Sequence, residues 1–470
     1  MLAMLLVLVV ALATAGPARA QPPACVGDTE SDAVPQKPGP RLRFGITPLA
    51  QAGQIGPVPA DALPEQPERT HSALAELRPP GAPFVVRLNR FFWSDGEAGF
   101  RRYLELARRF TSRGYLVELQ VRYHPSAQQE GDIPAWEAHV RDVVRRFGAN
   151  PRVVALQVTN EVNFTFSADS SDGAYQNARE ALVRGVIAAK DEARKRGLGG
   201  LAIGFNWAYR LDPGSEQSFW QGVRDRGGPA FVRSLDWIGL DAYPGTVFPP
   251  ESDADGYRDG MVNAMSALRC YATVPGIPAS VTMKVEENGW PTFPGRSEQD
   301  QAEFLERMVR AVSDFRGTYN VSDYRWFNLR DGDSSAPQPF QHFGLLRSDY
   351  TPKPAFQRYR RLVADLTTHE AAPRGRPRLS LRLRSRVVGH RCRRTPVRAS
   401  IVGRDRGQAL RAEFFRGRRR VARDTRRPLS RVIDRARPHG RTRVRTARAR
   451  VRLDDGRLVR LRRHYRLCAG

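Results

Sequence analysis

The stretch Ala-Leu-Gln-Val-Thr-Asn-Glu-Val-Asn, residues 155–163, decides how the rest of the chain is interpreted. It begins like a buried β-strand, with apolar residues at its first, second and fourth positions, and ends in the polar pair Asn160-Glu161. A strand that merely reaches solvent also ends in polar residues, so the pair alone decides little. Its meaning depends on whether the other strands of the chain end in the same way.

Short apolar runs alternate with amphipathic helical patterns between residues 41 and 366. The eight candidate strands are Leu42–Thr47, Phe84–Asn89, Leu116–Arg122, Val153–Thr159, Leu201–Phe205, Trp237–Asp241, Val281–Glu286 and Arg325–Leu329. Eight strands with helices between them, over roughly 325 residues, predict an α/β fold of the (β/α)8 TIM-barrel type. The alternative, a doubly wound open sheet, lacks a Gly-x-Gly-x-x-Gly motif after the first strand.

The segments outside the predicted barrel differ in composition. Residues 1–20 combine an apolar run with an Ala-x-Ala ending, which predicts a secretory signal peptide, although a positively charged start is missing and a membrane anchor is the alternative. Residues 21–40 form a Pro- and Gly-rich lead, and residues 367–378 a linker. From residue 379 to 470 the apolar residues recur with a period of two, which predicts a small all-β, sandwich-like domain.

The charge of the chain is concentrated in its last hundred residues. The whole chain has 76 basic and 49 acidic residues, a net charge of +27. Residues 371–470 hold 34 arginines, no lysine and six acids, so they carry a net charge of +28 and the remainder carries −1. A solvated strand face and a surface that attaches to an anionic cell wall, polysaccharide or membrane are both compatible with this pattern. We do not expect nucleic acid as a partner, because few aromatic residues accompany the arginines.

The four cysteines fit a chain that is exported, where disulfides persist. Cys392 and Cys468 bracket the Arg-rich domain and are predicted to pair, which leaves Cys25 to pair with Cys270. The sequence shows no Cys-x-x-Cys pair and no histidine cluster, so we expect no structural zinc site. We expect an extracytoplasmic protein, secreted or at the cell surface, and a monomer.

Polar and aromatic residues stand at the ends of seven predicted strands. They are Arg87-Leu88-Asn89-Arg90, Tyr123-His124, Asn160-Glu161, Asn206-Trp207, Asp241-Ala242-Tyr243, Glu286-Glu287-Asn288-Gly289-Trp290 and Trp326-Phe327-Asn328. In a (β/α)8 barrel these ends share one face, where active sites lie. Two carboxylic acids across one pocket suit glycoside hydrolysis, in which one acid protonates the leaving oxygen and the other attacks the anomeric carbon.

Two motifs resemble those of the retaining (β/α)8 glycoside hydrolase superfamily. Val158-Thr159-Asn160-Glu161 is similar to its Asn-Glu pair on strand four, and Val285-Glu286-Glu287-Asn288-Gly289-Trp290-Pro291-Thr292 to its nucleophile motif on strand seven. The resemblance covers about residues 41–366. It implies Glu161 as the acid/base and Glu287 as the nucleophile. Glu286 is the competing nucleophile, but neighbouring strand side chains point to opposite faces, so only one of the two is expected to face the pocket.

The resemblance also implies the residues that bind substrate. Arg87 matches an arginine that orients the nucleophile, Tyr243 a tyrosine that hydrogen-bonds to it, and Trp326 a tryptophan that floors the sugar subsite. The remaining candidates for sugar contacts are His124, Asn160, Asn206, Trp207 and Trp290. Two positions depart from the family pattern: Val162 replaces a proline, and Asp241 replaces a histidine.

The sequence therefore predicts a secreted retaining glycoside hydrolase that cleaves O-glycosidic bonds, β-linked by expectation, of a poly- or oligosaccharide. Neither a metal nor an organic cofactor is expected. Two alternatives stay open. One is a carbohydrate- or envelope-binding protein on a degenerate barrel, and the other is a transglycosylase that uses the same two glutamates.

Overall fold

The computed structural model describes residues 25, 39–50, 62–248, 254–368, 378–388, 392–404, 406, 409–424, 428–435, 442–453 and 458–468. The predicted signal peptide at residues 1–20 lies outside the described residues. Most of the N-terminal lead and of the linker also lie outside them.

Eight parallel strands close into a barrel in chain order, with β1 paired to both β2 and β8. The strands are β1 (Arg43–Ile46), β2 (Val85–Phe92), β3 (Leu116–Arg122), β4 (Val153–Val158), β5 (Ala202–Ala208), β6 (Trp237–Asp241), β7 (Thr282–Asn288) and β8 (Val321–Trp326). The helices are α1 (Pro67–Leu77), α2 (Gly96–Ser112), α3 (Ile133–Phe147), α4 (Ala178–Lys195), α5 (Pro213–Ser234), α6 (Ala254–Ala272), α7 (Glu298–Phe315) and α8 (Pro354–Thr368). The predicted (β/α)8 barrel is confirmed.

Local sequence signals explain where several helices begin. The Asp132 side chain accepts a hydrogen bond from the Ala135 amide at 3.0 Å and caps α3. Ser297 and Asp300 form a reciprocal capping box at the start of α7. The apolar stripes of these helices pack on the outside of the barrel and form one continuous core with it.

The barrel interior carries a network of buried charges, where such barrels usually hold branched apolar residues. Lys284 donates to Glu118 at 2.6 Å, and Arg325 donates to Asp323 at 2.6 Å. The members, all on barrel strands, are Arg43, Arg87, Glu118, Lys284, Glu286, Asp323 and Arg325. Six of the seven are buried, and we call this group the interior charge network.

One predicted strand is displaced. The sequence predicts strand eight at Arg325–Leu329, whereas β8 spans Val321–Trp326. The displacement arises because Asp323 and Arg325, two members of the interior charge network, occupy positions where an apolar strand pattern was expected.

The Arg-rich region folds into two sheets, as predicted. The strands are β9 (Ser380–Arg384), β10 (Val387–Val388), β11 (Cys392–Arg393), β12 (Val397–Val402), β13 (Ala409–Arg416), β14 (Arg419–Asp424), β15 (Ser430–Asp434), β16 (Arg443–Leu453) and β17 (Leu458–Leu467). One sheet has the order β10-β11-β17-β16-β13-β14, and the other has the order β15-β12-β9. Their apolar faces share one small core.

Both predicted disulfides are present, Cys25–Cys270 and Cys392–Cys468. The first ties the N-terminal lead to α6, and the second ties β11 to the end of β17. None of the helices in the described part of the chain is long and apolar enough to cross a bilayer.

The Cys392–Cys468 bond is expected to stabilise the Arg-rich domain, because its core is small. We expect Cys392→Ala/Cys468→Ala to lower the free energy of unfolding of this domain by about 2–5 kcal/mol. Scanning calorimetry would follow the domain's transition, with Cys25→Ala/Cys270→Ala as the comparison, since that pair ties the N-terminal lead to α6. An unchanged transition in the first variant would contradict the expectation.

Candidate active site

Glu161 is held at the end of β4 by a turn with unusual backbone geometry. Thr159 and Glu161 have positive φ angles of 65° and 46°, which residues with side chains rarely adopt. The buried Asp172 carboxylate accepts the Asn160 amide at 2.9 Å, and the Asn206 side chain accepts the Glu161 amide at 2.9 Å. These contacts aim the Glu161 side chain into a cavity above the barrel.

Glu287 reaches the same cavity because β7 contains a bulge. Leu240 pairs with Val285, but the next residue, Asp241, pairs with Glu287, so Glu286 is the extra residue. Glu286 lies in the barrel interior with no exposed surface, whereas Glu287 lines the cavity. The bulge interrupts the alternation of side chains by which only one of the two glutamates was expected to face inward. The carboxyl groups of Glu286 and Glu287 both lie on the same side of the sheet as Arg87.

Each carboxylate oxygen of Glu287 accepts a hydrogen bond from a buried donor. The Arg87 guanidinium donates to Oε1 at 2.7 Å, and the Tyr243 hydroxyl donates to Oε2 at 2.7 Å. The second Arg87 nitrogen donates to Gln157 at 2.8 Å, which fixes the fork of the guanidinium. A cationic and a phenolic donor together suit an ionised carboxylate with one defined orientation.

Glu161 has the opposite environment. Burial, followed by the negative charge of Glu287, raises the pKa of Glu161 to about 8. No ion pair joins Glu161 to a cation among the described residues. The two glutamates thus have different environments, since burial raises the pKa of Glu161 and Glu287 is paired with a cation.

Asp241 adds a third carboxyl group to the cluster. Oxygen atoms of Glu161, Asp241 and Glu287 all lie within 4.8 Å of one another. Burial, together with the charges of the two glutamates, raises the pKa of Asp241 well above its ordinary value. In the described part of the chain these three residues form the one cluster of carboxylates that could hold a metal ion. The Arg87 guanidinium, however, already supplies a positive charge beside Glu287.

Side-chain amides connect the strand ends beneath the cavity. The Asn160 oxygen accepts from Gln120 at 2.8 Å, from Asn206 at 2.8 Å and from Gln157 at 3.3 Å. The Asn206 amide also donates to Asp241. These bonds link β3, β4, β5 and β6 and hold Asn160 and Asn206 in fixed orientations at the site.

The cavity has a volume of about 370 Å³ and largely aromatic walls. Its lining includes the three carboxyl groups, and its aromatic members are Phe164, Phe166, Tyr209, Tyr243, Phe327, Phe340 and Phe343. Among the described residues, no lysine, arginine or histidine lines it. Aromatic faces beside carboxyl groups suit a ligand that has apolar faces and hydroxyl edges, as a sugar ring has.

The structure places all six of the predicted sugar contacts outside this lining, and two of them, Asn160 and Asn206, lie in the amide network beneath the cavity. The side chains of Trp207, Trp290 and Trp326 lie between the barrel strands and the helices, where they pack against aromatic residues of α5, α6 and α7. His124 packs against Phe92 with ring centroids 4.2 Å apart. For Trp207 and Trp326 the physical reason is alternation along the strand, because the preceding residues, Asn206 and Arg325, face inward. Trp290 lies beyond the end of β7.

Phe327, one residue after Trp326, is the residue of this strand end that lines the cavity. Sequence reasoning also missed Asp172 and the phenylalanines of the loops after β4 and β8. The polar end of β6 did point to Asp241, but only as a departure from a family pattern. The loop residues Phe164, Phe340 and Phe343 carry no periodic signal that could have identified them.

Comparisons with known proteins give structural likenesses only. No family model and no curated protein matches the chain. A β-glucuronidase of Bacteroides uniformis is 14% identical, with a TM-score of 0.43, and the match covers 93% of this chain and 46% of that chain. This chain therefore spans about half of the length of that enzyme.

Two GH5_18 structures match over a larger share of their own length. The protein from Streptomyces cattleya, in complex with GlcNAc, is 17% identical with a TM-score of 0.49, covering 72% of this chain and 83% of that chain. The protein from Bifidobacterium longum is 16% identical with a TM-score of 0.49, covering 72% and 82%. These neighbours are glycoside hydrolases, and at such identities the likeness concerns the barrel fold alone.

The raised pKa of Glu161 predicts a pH-dependent change in stability. Between pH 4.5 and about 8 the folded chain keeps a proton that the unfolded chain releases, so this group makes the fold less stable as pH rises through that window. We expect Glu161→Gln to stabilise the fold relative to the wild type more at about pH 8.5 than at about pH 4.5. The difference between the two pH values should be at least about 1 kcal/mol in the free energy of unfolding, which corresponds to roughly 2–4 °C in Tm.

Thermal unfolding of both proteins at the two pH values measures this difference. Glu105→Gln is the matched control, because Glu105 is an exposed glutamate on α2. An equal shift in Tm at both pH values would show that the folded structure does not raise the pKa of Glu161.

Proposed function

We propose that this chain is a retaining glycoside hydrolase with Glu161 as acid/base and Glu287 as nucleophile. One observation carries the proposal: two carboxyl groups at the carboxyl ends of β4 and β7 line one aromatic cavity and have opposite environments. The glycoside hydrolase names of the structural neighbours agree with it at the level of fold.

The spacing of the carboxyl groups supports the retaining course. Their oxygens lie within 4.8 Å. An inverting enzyme holds its carboxyl groups roughly 6.5–9.5 Å apart to admit a water molecule between base and sugar. The shorter spacing suits direct attack by Glu287 on the anomeric carbon.

In this mechanism Glu161 donates its proton to the glycosidic oxygen as Glu287 attacks, and a glycosyl-enzyme ester forms. Glu161, now ionised, takes a proton from water, and the water cleaves the ester. Arg87 and Tyr243 orient the Glu287 carboxylate throughout. Asp241, buried beside both glutamates, is a hydrogen-bond donor to the carboxylate or to a sugar hydroxyl while it keeps its proton.

We further propose that the sugar in the cavity is neutral. Three carboxyl groups face the cavity, and no basic side chain among the described residues lines it. A uronic acid would bring a fourth carboxylate into this space without a cation to accept it.

We propose that the protein acts outside the cytoplasm. The two disulfides and the predicted signal peptide support export, since disulfides persist mainly in oxidising compartments. Intact mass of the protein exported by its natural host would show cleavage after Ala20 as the loss of residues 1–20.

Replacing either glutamate is expected to abolish most turnover. On a panel of aryl β-glycosides and polysaccharides, Glu287→Ala should remove activity, and Glu161→Gln should lower kcat/KM about 10²- to 10⁴-fold. The loss in Glu161→Gln should shrink for aryl glycosides whose leaving group needs no proton. Azide should restore turnover to Glu287→Ala as a glycosyl azide of inverted configuration.

Two results would contradict this assignment. The first is activity that survives in Glu287→Ala. The second is a first-formed product, followed by NMR, that has inverted configuration in the wild type. If wild type and variant are both inert yet bind the same glycan, the barrel is a binding scaffold.

The pH profile is expected to follow the acid. Because Glu161 must be protonated to act and its pKa lies at about 8, kcat/KM should fall as pH rises above about 8. The limb should disappear in Glu161→Gln. A basic limb that persists unchanged in this variant would assign the titration to another group.

Tyr243→Phe is expected to lower kcat/KM about 10- to 150-fold. The hydroxyl donates to the charged Glu287, and such a hydrogen bond contributes about 1.5–3 kcal/mol. Tyr271→Phe is the matched control, because the buried Tyr271 hydroxyl has no partner among the described residues and lies outside the cavity. Equal effects of the two substitutions would remove Tyr243 from the site.

A further inference from the structure

The outward face of the six-stranded sheet carries an arginine array. Ala447, Ala449 and Val451 of β16 pack into the core of the Arg-rich domain, so the residues between them point away from it. Arg448 and Arg450 of β16 and Arg460 and Arg462 of β17 are all exposed. We call these four residues the arginine face.

The register of the strands sets these arginines directly opposite one another. Arg448 pairs with Arg462, and Arg450 pairs with Arg460. Like charges in directly opposed positions destabilise a sheet. None of the four makes an ion pair with any described residue, so within that part of the chain the repulsion is not offset by an acid.

The neighbouring strands add little negative charge to this face. Glu413 of β13 lies opposite Arg450, but it already accepts a hydrogen bond from Arg420 at 3.0 Å. The face borders a shallow groove of about 530 Å³, and Phe415 forms part of its wall beneath the Arg450 guanidinium, 5.1 Å from the ring centroid. The groove is therefore a cationic surface that an external anion can neutralise.

We propose that the arginine face binds a linear polysaccharide that carries carboxylate groups. Each guanidinium fork matches a carboxylate in geometry and charge. The array repeats at about 6.7 Å along a strand and about 4.8 Å between strands, on an open sheet that an extended chain can cross. The choice of a polysaccharide rests in part on the proposed glycosidase function.

A nucleic acid fits this surface less well. Proteins that bind single-stranded nucleic acid without sequence preference offer aromatic side chains on which bases stack. Among the described residues that line the groove, the one aromatic ring is that of Phe415, and it lies beneath Arg450. Binding through the arginine face would keep the barrel at high effective concentration beside a glycan-rich surface, without requiring that the bound acidic chain be the substrate.

The test measures binding of the full chain to polygalacturonate, with neutral dextran as the reference polymer. We expect binding to polygalacturonate that weakens at least about tenfold between about 50 mM and about 500 mM NaCl, and none to dextran. The variant Arg448→Gln/Arg450→Gln/Arg460→Gln/Arg462→Gln should lose at least about tenfold in affinity.

The control variant removes the same charge from elsewhere in the domain, as Arg382→Gln/Arg384→Gln/Arg394→Gln/Arg398→Gln. These four arginines are exposed on β9, on β12 and between β11 and β12. The control should change affinity less than about threefold. The Tm of the arginine-face variant should not fall, because two repulsive pairs are removed, and this shows that a loss of binding is not a loss of fold.

Three outcomes would overturn the proposal. They are absence of binding to polygalacturonate, an equal loss in the control variant, and a single-stranded oligonucleotide that binds as tightly as polygalacturonate does. Glu287→Ala should bind polygalacturonate as the wild type does. Failure of the glycosidase assay with binding intact would therefore leave this proposal standing, and the reverse result would leave the proposed function standing.

Discussion

The hydrogen-bonded ion pair between Arg87 and Glu287 is the interaction on which the centre of the barrel depends. Five carboxyl groups, those of Glu118, Glu161, Asp241, Glu286 and Glu287, occupy the upper interior and the site above it. Burying like charges together is costly, and a cation between them is what makes the arrangement tolerable. Arg87 lies in ion-pair range of Glu118 and Glu286 below it and of Glu287 beside the cavity, so one side chain serves both the fold and the site.

The same guanidinium contributes to the asymmetry between the two glutamates of the site, because it pairs with Glu287 and not with Glu161. Its two terminal nitrogens donate to Glu287 and Gln157, and none of the described cations forms an ion pair with Glu161. The neutral side chains of Asn160 and Asn206 then hydrogen-bond the ends of β4 and β5 to each other and add no charge to the site. Two residues of the same type thus acquire different environments: Glu287 is paired with a cation, whereas burial and the charge of Glu287 raise the pKa of Glu161.

The sequence predicted all eight strands of the barrel, but it predicted the bounds of only some of them correctly. The bounds of β3 and β6 agree with the structure, whereas β8 was displaced because Asp323 and Arg325 interrupt its apolar pattern. The two strand ends that carry Glu161 and Glu287 could be predicted from the sequence, because polar residues follow apolar runs there. The bulge at Glu286 depends on pairing between strands, and Phe327 lies just after the end of β8, so no local sequence pattern indicates either feature.

The interior charge network has a consequence for how this barrel can change. Loss of a single member leaves its partner as an uncompensated buried charge, which costs about 3–5 kcal/mol, whereas exchange of a whole set for apolar residues can be neutral. Stepwise substitution at Glu118, Lys284 or Arg325 therefore passes through poorly folded intermediates. These positions are therefore expected to co-vary: in related chains they should be conserved together or replaced together. A chimera that exchanges one of these strands with a barrel lacking the matching charges should fold poorly.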